Sequence, residues 1–138
     1  MKLLLRADAN ERIGSGHVMR SLALARALIA RGGAATLVGR IASDRLHRRL
    51  LDASVTLVPL DDTEPGEDDL TATARTLERL GPRDGSVWAV LDGYHFDAHY
   101  QCEIRRTGFP VLVIDDVADR APYDADLLLN QNLGANAL

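Results

Sequence analysis

The sequence is short of cysteine, lysine and aromatic residues, and each shortage closes off a class of protein. Cys102 is the only cysteine. It can form no internal disulfide, so a reducing compartment, the cytoplasm, is expected. Lys2 is the only lysine among 16 basic residues, and 20 acidic residues bring the formal net charge to -4. A protein that grips a phosphate backbone presents a basic face, so no nucleic-acid partner is expected. Aromatic residues are 4% of the chain, which leaves the core to Leu, Val, Ile and Ala. Long apolar runs are missing too. After Met1 and Lys2 only three leucines precede Arg6, too few for a membrane span or the core of a signal peptide. No membrane partner is expected. The sequence shows no internal repeat, low-complexity tract or flexible linker.

What is present is an alternation of short apolar runs and helical patterns. The 138 residues suit one domain with a real core. Strands are predicted over residues 2–7, 35–38, 55–60, 87–91, 111–114 and 126–129. Helices are predicted over 17–31, from a Ser43 cap to 52, and over 68–80 and 97–107. In the first helix Val18, Leu22, Ala25 and Ile29 recur at spacings of three and four, which makes one buried face. Gly32 and Gly33 end it. Pro59 marks its strand as an edge or a terminus. The first, fourth and fifth strands are continuously apolar, as in a parallel sheet covered on both faces. The expected fold is therefore α/β, a Rossmann-like doubly wound parallel sheet. Such sheets bind ligands at the carboxyl ends of their strands.

The residues after each strand supply the candidates. The strongest is the loop Ile13-Gly14-Ser15-Gly16-His17-Val18-Met19-Arg20. Gly14 and Gly16 let backbone approach a ligand closely. With Ser15 they place free N–H groups at a helix start, a site for developing negative charge. The helix dipole disfavours a second proton on His17, so a neutral imidazole able to act as general base is expected. Arg20, one turn on, is placed to meet a phosphate or carboxylate. The loop lacks the Lys-Ser/Thr of a P-loop and the third glycine of the dinucleotide fingerprint. The competing reading is an ordinary glycine-rich turn with a surface histidine.

Asp8 either orients His17, binds a sugar hydroxyl or closes an Asx-type turn. Asp92 and Tyr94 follow the fourth strand, and Tyr94 suits a sugar ring or a hydroxyl contact. Asp97 reads as a helix cap. His95 and His99 are four apart, but no third ligand accompanies them and no metal is expected. Asp115 and Asp116 follow the fifth strand and suit hydroxyl binding or loop closure better than Mg²⁺. Asn130 and Asn132 bind substrate or shape a turn. Cys102 reads as a buried helical residue.

Taken together, Arg6-Ala7-Asp8-Ala9, the 13–20 loop, Leu91-Asp92-Gly93-Tyr94, Val113-Ile114-Asp115-Asp116 and residues 126–132 resemble, in order, the pseudaminic acid pathway hydrolase family, PseG, and its spore-coat polysaccharide relative SpsG. The resemblance covers nearly the whole chain. It implies the N-terminal domain of a GT-B-type two-domain enzyme, similar in architecture to MurG, with the site in the cleft between two Rossmann-like halves. It implies that a UDP-linked diacetamido-trideoxy sugar loses UDP by attack of water at the anomeric carbon, without metal or other cofactor. His17 would be the general base and Tyr94 would lie near the sugar. Residues 1–138 would be one domain, inactive without a C-terminal domain or partner subunit. Half of a GT-B glycosyltransferase, or a non-catalytic sugar-nucleotide-binding domain, are the alternatives.

Overall fold

A computed structural model describes residues 1–60, 67–117 and 122–132. The strands β1 (Lys2–Arg6), β2 (Ala34–Gly39), β3 (Thr56–Pro59), β4 (Val87–Asp92), β5 (Val111–Ile114) and β6 (Leu127–Leu129) alternate with helices α1 (Gly16–Ile29), α2 (Asp44–Asp52), α3 (Glu67–Leu80) and α4 (Ala98–Arg106) up to β5. The strands form one sheet in the order β3-β2-β1-β4-β5-β6, and every pairing is parallel. The expected Rossmann-like sheet is the observed one.

The local reasons are readable. Ser43 caps α2 by accepting the Leu46 N–H, and Asp97 caps α4 by accepting that of Tyr100. Pro59 is the last residue of the edge strand β3, where its missing N–H costs no ladder bond. Because strand side chains alternate, β1 feeds two cores. Leu3 and Leu5 pack with Val18, Leu22 and Ala25 of α1 and Leu46 and Leu50 of α2. Leu4 packs on the other face with Leu77 of α3 and Tyr100 and Ile104 of α4.

Three features depart from expectation. Coverage on both faces fails at β6, whose Leu127, Leu128 and Leu129 are all exposed. Arg6, read as the tail of an apolar strand, is completely buried. Cys102 differs as well. It is half-buried rather than buried, and its hydrogen bond to Asp124 pushes the thiol pKa up.

Gly39 fixes how closely the ends of β1 and β2 approach. A Cβ there would lie 1.9 Å from the Ala7 carbonyl oxygen and 3.3 Å from Asp8 Oδ1. Backbone on that side cannot give way as a side chain would. Gly39→Ala is expected to cost about 1–3 kcal/mol of stability through overpacking, measured as a lower urea midpoint.

Candidate active site at the switch between β1 and β4

The sheet order reverses between β1 and β4, so the segments that follow them diverge and leave a crevice. The glycine loop enters it from β1. Asn10 Oδ1 accepts the N–H groups of Arg12 and Ile13, an Asx-type turn like the one weighed for Asp8. The Gly14 N–H then closes on the Asn10 carbonyl, and Gly14 takes a positive φ of 71°, open to glycine at little cost. Ser15 stands at the N-cap of α1 but makes no side-chain capping bond. The first-turn N–H groups therefore receive no acceptor from it.

From this start α1 sends two side chains across the sheet to β4. His17 Nδ1 donates to Asp92 Oδ1 at 2.8 Å. Arg20 Nη2, a donor, also lies 3.2 Å from Nδ1, but the carboxylate is the closer partner and only accepts, so in the neutral ring the hydrogen is assigned to Nδ1 and Nε2 keeps its lone pair. Asp92 is fully buried and His17 nearly so. Arg20 grips the same carboxylate with both ends of its fork, Nε to Oδ2 at 2.8 Å and Nη2 to Oδ1 at 2.5 Å. Its Nη1 reaches Asp116 Oδ2 at 3.2 Å. The hydrogen bonds it donates to Asp92 outweigh burial and raise the Arg20 pKa, so the guanidinium stays charged. Tyr94 completes the group. Its ring meets the His17 ring edge-on at 4.8 Å between centroids, and its hydroxyl donates to Asp116 Oδ1 at 3.3 Å.

The structure thus brings His17, Arg20, Asp92 and Tyr94 together, and it reassigns others. Arg20, expected to meet a ligand anion, is already held by two carboxylates of the protein. Asp8 does not orient His17, because Asp92 does. The Asp8 carboxylate instead takes Arg6 Nη1 at 2.6 Å and Nη2 at 2.9 Å, and the Arg40 N–H at 2.7 Å. His95 Nε2 lies 3.3 Å from Asp8 Oδ2, without the alignment of a full hydrogen bond. Burial would raise the Asp8 pKa, but His95, Arg6 and the Arg40 N–H together hold it well below the usual carboxylate range. His99 is exposed on α4, and His95 precedes the Asp97 cap. The two do not form a helical ligand pair.

Asp115 and Asp116 also part company. Consecutive residues leaving a strand point to opposite sides, so Asp115 turns to the Tyr123 hydroxyl and the Val117 N–H. Asp116 faces Arg20 and Tyr94, a difference between the two that their place after the fifth strand does not show. Asn130 and Asn132 form a turn, with the Asn132 N–H donating to Asn130 Oδ1. Asn132 Nδ2 donates to the Asp116 carbonyl at 2.5 Å, which ties this turn to the rim. The Asn130 side-chain nitrogen is buried without a partner among the described residues.

Below the rim lies a network that sequence reasoning missed. Arg6 bridges Asp8 to Asp69 of α3, with Nε at 3.0 Å and Nη2 at 2.5 Å from the Asp69 oxygens. Asp69 also accepts from Arg40 at 2.8 Å and from the Tyr100 hydroxyl at 2.8 Å. Arg6 and Asp69 are 63 residues apart, and no local pattern links them. The one available signal was an arginine inside an otherwise apolar strand, which needs buried acids as partners.

No protein-family model matches the sequence, and no curated protein matches it. Among solved structures, MurG of Acinetobacter baumannii is similar over 84% of this chain and 35% of its own, at 21% identity and a TM-score of 0.54. The fold is one this chain shares with MurG. A UGT transferase from Siraitia grosvenorii in complex with UDP is similar over 83% of this chain and 28% of its own, at 16% identity and a TM-score of 0.48. The chain spans about a third of the length of these two proteins. Among the described residues no helix is long and apolar enough to cross a membrane.

Proposed function

We propose that this chain is the N-terminal half of a two-half nucleotide-sugar enzyme. In this reading the enzyme cleaves the anomeric C–O bond of a UDP-linked diacetamido-trideoxy sugar and releases UDP and the free sugar. The observation that carries it is the buried His17–Asp92 pair at the switch point, with Nε2 left to take a proton. Water attacks the anomeric carbon and gives its proton to Nε2. The C–O bond breaks, and its electron pair leaves on the UDP phosphate. Asp92 holds the ring and stabilises the imidazolium that forms. Tyr94, exposed beside His17, contacts the sugar. Most nucleotide contacts fall to a second half.

A second reading is transfer of the sugar to an acceptor hydroxyl, with His17 taking the hydroxyl proton instead.

Product analysis decides between them. The longer polypeptide is incubated with the UDP-sugar, with and without a sugar acceptor. Hydrolysis gives UDP and free sugar in both cases. UDP release that requires the acceptor moves the assignment to the transferase. Turnover by the 138-residue chain alone would overturn the two-half reading.

A further inference from the structure

The first turn of α1 has two sides. One faces β4 and carries the His17 group. The other faces α2, across a cavity of about 490 Å³. That volume lies within the range of small-molecule sites, roughly 300–1,000 Å³. Its floor is apolar, from Ala9, Met19 and Leu46. One wall is the backbone at Gly14 and Ser15, and the other is Arg45 and Arg49 of α2.

The two arginines are four apart on one helix, so they share a face. Neither makes an ion pair or side-chain hydrogen bond among the described residues. Arg49 is half-buried in this state. Arg12, Arg26, Arg31, Arg48, Arg75 and Arg79 likewise make no ion pair among the described residues. Of the arginines without one, only Arg45 and Arg49 line this cavity, and two guanidiniums on one wall of a small-molecule-sized space suit an oxyanion from outside. Among the described residues Glu11 is the single acid lining the cavity. It pairs with neither arginine.

We infer that this cavity is a second ligand subsite, distinct from the His17 group, that takes a small organic oxyanion. The Arg45 and Arg49 guanidiniums hold its phosphate or carboxylate, and the floor of Ala9, Met19 and Leu46 takes its carbon frame. A guanidinium fork suits either oxyanion, and the apolar floor disfavours a bare inorganic ion. The inference does not depend on the hydrolase reading, since it uses no residue of the His17 group.

The test titrates the isotope-labelled chain with glucose 1-phosphate, with glucuronate and with neutral glucose, followed by NMR. Saturable shifts of the Gly14 and Ser15 amides and of the Arg45 and Arg49 Nε–H signals are expected with an anion and not with glucose. The phosphate and carboxylate arms identify which oxyanion binds. The double substitution Arg45→Gln and Arg49→Gln is expected to weaken binding at least about tenfold. Arg45 is exposed, Arg49 is half-buried, and neither belongs to the two cores, so the fold is retained, and an unchanged amide spectrum elsewhere checks this. His17→Ala should leave the affinity as it was. Shifts that glucose reproduces, shifts that survive the double substitution, loss of binding in His17→Ala, or no saturable shift with either anion would each overturn the subsite. Failure of UDP release by the longer polypeptide would overturn the proposed function and leave this assignment standing.

Discussion

His17→Ala in the longer polypeptide is expected to lower kcat by about 10²- to 10⁴-fold, the usual worth of a positioned general base, with a smaller change in KM. The expectation comes from the one ring nitrogen the structure leaves over. Nδ1 is committed to Asp92 at 2.8 Å, so only Nε2 can receive a proton from the attacking oxygen. Asp92→Asn separates the base from its surroundings. An amide in that place can donate to Nδ1 and so favours the wrong tautomer, with the hydrogen on Nε2. It also releases one end of the Arg20 fork. Its loss in kcat should match that of His17→Ala, and the double variant should lose no more than either single one, because residues that act as a unit are not additive. Turnover unchanged in His17→Ala would remove the base from the mechanism.

Breaking the Arg6 network is expected to have the largest effect on stability. Arg6→Met keeps the bulk of the side chain and removes the charge between Asp8 and Asp69. It leaves two buried carboxylates short of a partner, which typically costs about 3–5 kcal/mol. Arg6→Lys should rescue little, since one ammonium cannot replace a fork that reaches both carboxylates. The pH dependence carries a second signature. Asp69 shares the direction of Asp8. Burial would raise its pKa, but the bonds and charge of Arg6, with Arg40 and Tyr100, lower it. Groups with lowered folded pKa values stabilise above their unfolded value, about 4, and that stabilisation is lost as pH falls through the folded values. Wild-type unfolding free energy should therefore drop steeply in acid, and Arg6→Met should show a shallower slope. Urea titrations at several pH values measure both, and equal slopes would mean the network does not hold these carboxylates ionised.

The elements were legible in the sequence because each is written locally. A strand here is a short apolar run, and its neighbouring helix opens on Ser43 or Asp97 or closes on glycine. Half of the site was legible for the same reason. His17 and Arg20 sit one turn apart on α1, and Asp92 ends an apolar run, so the sheet order alone brings them together. The remainder depends on which way a side chain points once the register is set. That choice sends Asp116 rather than Asp115 to Arg20, and Asp92 rather than Asp8 to His17. The Arg6–Asp69 bridge needs α3 to cross β1 at one height, which neither segment encodes by itself. The exposed leucines of β6 show the converse limit. An apolar run predicts a strand but cannot tell whether a neighbour covers it.

The first turn of α1 separates two surfaces of opposite sign. On its β4 side Arg20 is outnumbered by Asp92 and Asp116, while on its α2 side Arg45 and Arg49 outnumber Glu11. Like charge repels and opposite charge attracts at this range. A molecule with an uncharged hydroxyl-bearing end and an anionic end, lying across the glycine loop, therefore has one favourable direction, hydroxyls toward β4 and anion toward α2. With the subsite proposed above, the helix start would favour that direction of such a molecule over the reverse.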